Sequence, residues 1–257
     1  MNELFMRLFL LIGLSALLLK TSFAQPVGQG PKPMVYSASS AWQKVILRST
    51  PEPGPRRSST TSTAPSTTFR PAFTGDFVTN RNHWRAGNFG DYHYQIGVGS
   101  YSVRKRNVRT SKASFSSVAL PQEINLNRAE VFTIKLDVLA DSGQVPTGGL
   151  LFGIKDSLNF CAFTTNSRGE VSIKRVANGE TFTDYMPGEF FRPGVPIDKN
   201  RNRLMVKRRG EYLYFFINEQ EVRSSPYPFR MLSGNGIGLT SSGYWTSFQK
   251  LTVTVGL

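Results

Sequence analysis

Between Asn202 and Val222 the chain writes one pattern twice around a single glycine, Gly210. In the first half Leu204, Val206 and Arg208 occupy alternate positions, with Arg203, Met205 and Lys207 between them. In the second half Leu213, Phe215 and Ile217 alternate with Tyr212, Tyr214 and Phe216. Successive side chains of a strand point to opposite faces, so this alternation around a glycine predicts a β-hairpin with one apolar face. Asn218-Glu219-Gln220 predicts a second turn, and Glu221-Val222-Arg223 the start of another strand.

The same punctuation runs from Phe73 onward. Candidate strands are 89–96, 99–103, 130–138, 149–154, 159–165, 170–176, 203–208, 212–217, 236–241 and 247–255. Turn signals separate them at Asp141-Ser142-Gly143, Asn166 to Gly169, Asn178-Gly179, Gly210 and Ser233 to Gly236. Many short strands at regular spacing, with no long helix-period segment, predict an all-β antiparallel sandwich or barrel.

The N-terminus has a different character. Arg7 precedes an apolar run from Leu8 to Leu19, Lys20 closes it, and Thr21 to Ala24 ends in small residues. That is the build of a secretory signal peptide over residues 1–24, cleaved after Ala24. The run is shorter than the ~20 residues a spanning helix needs. An exported protein follows, periplasmic or extracellular, with no transmembrane segment in the mature chain. Residues 25–48 are mixed and specify no structure. Residues 49–72 are rich in Pro, Ser and Thr, which predicts a disordered linker. The folded domain is expected over 73–257.

Cys161 is the one cysteine in 257 residues, so no internal disulfide framework exists. Its neighbours Phe160, Ala162 and Phe163 place it on a strand as a small buried hydrophobe rather than a nucleophile. The 19 Phe and 9 Tyr must then supply a hydrophobic core. The net charge of +14 favours anionic partners, although a solvated basic surface would have the same composition.

Seven blocks occur in one order along 73–257: Asp76-Phe77 with Asn80 and Trp84; Gly99-Ser100-Tyr101; Glu130 to Ile134; Gly149 to Asp156 followed by Asn159 to Phe163; Gly169 to Ile173; Asn202 to Val222; and Gly236 to Leu239 with Phe248 and Leu251 to Val253. In that order they resemble the concanavalin A-like lectin/glucanase superfamily in its laminin-G-like jelly-roll form, as found in secreted proteins of Bacteroidetes-type bacteria. The resemblance implies two antiparallel sheets packed face to face, one of them curved. Gln249-Lys250 stands where many relatives carry Asp-Asn after the last-strand Phe, so any role of those groups does not transfer.

Glycosidases of that superfamily need two carboxylates across a cleft, on the order of 5–9.5 Å apart. The closest local pair is Glu219 and Glu221, near a turn, while Glu130 and Asp137 would have to meet across sheets. His83 and His93 are too few for a zinc site. The resemblance leaves calcium open, with Asp141, Asp156 and Asn159 as loop oxygen donors; otherwise no cofactor is expected.

Sugar rings stack on aromatic faces while their hydroxyls bond polar neighbours. Trp245 is the best such candidate because its flanks Gly243, Thr246 and Ser247 are small and polar; Tyr244, Tyr92, Tyr94 and Tyr185 follow. Trp84 is assigned to the core. Arg104, Lys105 and Arg106, and Arg203, Lys207 and Arg209, form the basic clusters that an anionic partner would contact. The run after Arg209 looks like an RNA-binding aromatic strand, but Glu211 and Leu213 break the match and an export signal argues against nucleic acid.

The resulting expectation is an exported, non-catalytic, basic binding module for carbohydrate, anionic glycans included. The first alternative is a structural or protein-interaction domain of a cell-envelope assembly. The second is a glycoside hydrolase.

Overall fold

The computed structural model describes residues 71–140 and 143–256. The chain divides into two units, Met1–Ser62 and Thr63–Leu257, and every described residue belongs to the second. The expected signal peptide, the segment 25–48, all but the last two residues of the expected linker, and Asp141 lie outside the described residues.

The described residues are built from strands. In chain order these are β1 (Pro71–Gly75), β2 (Gly87–Phe89), β3 (Tyr92–Gly97), β4 (Ser100–Lys105), β5 (Ser116–Ala119), β6 (Val131–Leu139), β7 (Gly148–Asp156), β8 (Asn159–Thr165) and β9 (Val171–Ala177). They continue with β10 (Glu180–Phe182), β11 (Phe190–Phe191), β12 (Arg201–Arg209), β13 (Tyr212–Ile217), β14 (Gln220–Glu221), β15 (Tyr227–Pro228), β16 (Gly236–Ser241) and β17 (Trp245–Gly256). No helix among them is long and apolar enough to cross a membrane.

The hairpin expected around Gly210 is β12–β13, with Leu204 opposite Ile217 and Val206 opposite Phe215. Gly210 has φ +58, the left-handed value that the first central residue of a tight two-residue hairpin requires. Asn218 and Glu219, with φ 49 and 70, make the second such loop into β14. Side-chain alternation then decides the faces. Leu204, Val206, Leu213, Phe215 and Ile217 are fully buried, and the residues between them are not.

Two antiparallel sheets result. The ten-stranded sheet runs β14-β13-β12-β6-β17-β4-β3-β2, with β1 and β15 added at β17 and β13. The seven-stranded sheet runs β10-β9-β8-β7-β16-β5, with β11 beside β9. Their inner faces meet in one core. Phe215 of the larger sheet meets Phe163 and Phe152 of the smaller at ring-centroid distances of 5.2 and 6.4 Å. The fold is thus an all-β, two-sheet antiparallel sandwich. Trp84 lies in its core against Phe77 and Tyr101. Cys161 is buried on the inner face, and burial pushes its thiol up to about 12.

Two sequence expectations needed adjustment. The strand expected over 89–96 is interrupted at Gly90-Asp91, and its two parts form the β2–β3 hairpin, with Phe89 opposite Tyr92. Arg208, which shares a face with Leu204 and Val206, closes the end of the core. Its guanidinium donates to Leu126 O (3.2 Å), Asn127 O (3.0 Å) and Gly210 O (2.8 Å) and lies 3.5 Å from the Phe229 ring centroid. Hydrogen bonding to carbonyls satisfies a charge that alternation alone would have placed in an apolar interior.

Candidate functional site

On β3 and β4, Tyr92, Tyr94, Tyr101 and Val103 point into the core. The alternate residues His93, Gln95, Ser102 and Arg104 therefore project from the outer face of the larger sheet. On β17 Thr246 and Phe248 are buried, so Trp245 faces outward with them. The register sets His93 opposite Arg104 and Arg104 opposite Trp245, and one step along it sets Gln95 opposite Ser102. Tyr244, half exposed, precedes the strand. These six residues line a cleft of about 430 Å³.

The cleft is held from behind. Lys105 N donates to Tyr244 O at 2.8 Å, and Thr246 Oγ1 donates to Thr147 O at 2.9 Å. Gly243 N donates to Ser241 Oγ at 3.1 Å, fixing the turn into β17. Arg104 Nη2 donates to Tyr244 Oη at 3.0 Å, and its guanidinium lies 5.5 Å from that ring centroid. His93 Nδ1 pairs with Asn88 Oδ1 at 2.8 Å. Ser102 Oγ meets Ser247 Oγ at 3.3 Å. The lining thus offers two aromatic rings, an amide, a hydroxyl, an imidazole and a guanidinium. No carboxylate lines it among the described residues, so it holds no acid–base pair for glycoside hydrolysis.

Of the aromatic candidates, the structure brings Trp245 and Tyr244 together here. Tyr92 and Tyr94 are corrected: both are core residues, about 4% and 3% exposed, with no face open to a ligand. Tyr92 Oη donates to Lys112 O at 2.6 Å, and burial raises its hydroxyl to about 12. Alternation on β3 turns both inward. Tyr185 is half-buried against the core, with the Arg230 guanidinium 5.0 Å from its ring centroid, and is separate from the cleft.

The basic candidates divide. Lys105 Nζ donates to Thr110 O at 3.2 Å and Arg106 Nη1 to Gly90 O at 3.5 Å. Arg203 is committed to Asp137, with Nε to Oδ1 at 2.8 Å, and Arg201 bonds the same carboxylate. Burial pushes the Asp137 carboxyl up, but the hydrogen bonds from Arg203 and Arg201 outweigh it and hold the group below the usual range. Lys207 and Arg209 lie on the outer face beside Tyr214 and Tyr212. Partial burial, then Arg209 and Lys135, push the Lys207 ammonium below its ordinary value.

Asp156 and Asn159 serve a turn. Asp156 Oδ1 accepts from Leu158 N (2.8 Å) and Asn159 Nδ2 (2.9 Å), and Asn159 Oδ1 accepts from Asn178 N (3.1 Å). Among the described residues no group of three His, Cys, Asp or Glu could hold a metal ion. Glu219 and Glu221 are exposed at the β13–β14 turn.

His93, Gln95 and Ser102 were not chosen from the sequence as ligand contacts. The signal for them was parity: once Tyr92, Tyr94 and Tyr101 are core, their alternate neighbours share the other face.

No family model matches this sequence, and no curated protein matches it. Similar solved structures include the carbohydrate-binding module CBM66 from Bacillus subtilis, at 20% identity and TM-score 0.45, covering 68% of this chain and 97% of that one. A protein of unknown function with a galectin-like fold from Bacillus subtilis is similar at 9% identity and TM-score 0.47, covering 74% and 100%. Domain 4 of AbnA, an extracellular arabinanase from Geobacillus stearothermophilus solved with arabinotriose, is similar at 15% and 0.45, covering 73% and 93%.

Proposed function

We propose that the sandwich is a non-catalytic binding module for carbohydrate, held at the His93, Gln95, Ser102, Arg104, Tyr244 and Trp245 cleft. The observation that carries this reading is the composition of that cleft: two rings beside four planar or hydroxylic hydrogen-bonding groups on three paired strands. A sugar has apolar C–H faces and a fringe of hydroxyls, and needs both kinds of surface at once. Strands of a closed sandwich hold such groups with little entropy to lose on binding.

Lys207 and Arg209, with Lys135 alongside, lie on the same face of the same sheet and favour an acidic glycan over a neutral one. Export follows from the pattern of residues 1–24, which would put the module where extracellular or envelope glycans occur.

The test is a glycan array on the full chain, followed by titration calorimetry of hits with wild type and Trp245→Ala. Loss of one stacking ring is expected to weaken binding about tenfold or more, equivalent to about 1.4 kcal/mol or above. An array without binders, or a Trp245→Ala variant that binds as wild type does, overturns the proposal.

A further inference from the structure

The outer face of the smaller sheet has a different chemistry. Outer faces of sandwiches alternate with the core and are expected to be polar. Here Leu151, Ile154 and Ala162, all buried, form a cluster of their own, separate from the main core, with Phe115 and Phe160 packed on it. The Phe115 and Phe160 rings are 5.6 Å apart. Beside them opens a cleft of about 350 Å³, and Phe190, 46% exposed, stands on its wall.

Of the six hydroxyl side chains that line the cleft, Ser114, Thr165 and Thr240 are engaged by the protein itself. Thr165 Oγ1 donates to Pro146 O at 2.6 Å, Thr240 Oγ1 donates to Ser114 O at 2.6 Å, and Ser114 Oγ accepts from Ser241 N at 2.7 Å. A polyol entering here would exchange water for fewer partners, whereas an alkyl chain gives up none. One charged residue lines the cleft: Lys174, opposite Ala162 in the β8–β9 register. No acid lines it, and Lys174 makes no ion pair among the described residues.

We propose that this cleft is a second binding site, distinct from the carbohydrate cleft, for a medium-chain acyl carboxylate. The chain would lie on Leu151, Ala162, Phe115 and Phe160, and the carboxylate would meet the Lys174 ammonium. At roughly 30 Å³ per water-sized group, the volume holds about a dozen heavy atoms, the size of decanoate. An apolar floor with a single cation at its margin selects by charge as well as by hydrophobicity, because a neutral or cationic head leaves Lys174 unpaired or repelled.

Titration calorimetry on the full chain with decanoate, decanol and decylammonium tests this. Saturable decanoate binding at one site is expected, with the other two at least tenfold weaker. Lys174→Glu, on a half-exposed strand position, should weaken decanoate at least tenfold, and Lys174→Gln should fall between it and wild type; unchanged melting midpoints would establish that both fold. Thr164→Trp, which fills the cleft from the neighbouring outer position, should abolish binding. Absence of saturable decanoate binding, equal binding of all three amphiphiles, or binding indifferent to Lys174→Glu overturns the assignment.

Discussion

Asp137 offers a perturbation whose sign can be worked from exposure alone. Its side chain is 1% exposed, while those of its two partners, Arg201 and Arg203, are 46% and 36% exposed. Removing the acid releases two arginines that already reach water, and Arg203 keeps Glu219 within 3.8 Å. Asp137→Asn should therefore cost about 1–2 kcal/mol, the scale of lost charge-assisted hydrogen bonds partly replaced by solvent. The double variant Arg201→Gln/Arg203→Gln leaves a buried carboxylate with no cation and should cost about 3–5 kcal/mol. The two lesions also differ in pH dependence. In wild type the lowered Asp137 contributes stability that is fully present above its unfolded pKa of about 3.9 and is lost as pH falls through its folded value. In the double variant burial acts unopposed and raises that pKa, so its penalty is greatest at neutral pH and is relieved by acid. Urea unfolding at pH 7 and stepwise down to pH 4 should show the gap between wild type and double variant narrowing. A gap that widens, or an Asp137→Asn cost that equals the double variant's, would refute the account.

Three further outcomes follow from the same geometry. Phe215→Ala, which removes a fully buried ring touching Phe152, Phe163 and Tyr227, should lower unfolding free energy by about 3–5 kcal/mol in denaturant titration. Gly210→Ala should cost about 1–2 kcal/mol, because φ +58 is a left-handed conformation that a Cβ disfavours; a cost near zero would mean that the loop can change type. Cys161 should resist a thiol reagent at pH 8 in the native protein and react fully once the protein is unfolded in urea, since its thiol is buried and raised to about 12.

The hairpin at Gly210 and the strands over 149–176 were legible because alternation and turn chemistry are local signals. Asn178 and Gly179, with φ 53 and 83, form the tight loop that their dipeptide announces. The two-residue and three-residue strands β10, β11 and β15 were not legible, because strands that short carry no periodicity. The exposure of Tyr244 and the outward position of Trp245 agree with their small, polar surroundings. Tyr92 and Tyr94 were misplaced because composition near a turn was weighed and face parity was not. The apolar cleft on the outer face of the smaller sheet was hidden for a related reason. In Phe160 to Phe163 all four residues are apolar, so the sequence reads as continuous core, and only the second sheet shows which half faces away from it.

Strand β17 is hydrogen-bonded along one side to β6 and along the other to β4 over its first residues and to β1 beyond the irregularity at Gln249 to Thr252. The strands β2, β3 and β4 join the larger sheet through it alone. The cleft of His93, Gln95, Ser102, Arg104, Tyr244 and Trp245 straddles that seam, with Arg104 and Tyr244 lying 140 positions apart. Until that strand is in place, His93, Gln95, Ser102 and Arg104 are cut off from the rest of the larger sheet. The outer face becomes continuous when residues 245–256 zip the two halves of the sheet together, and a chain clipped before that strand would lose the cleft and the continuity of the sheet at the same stroke.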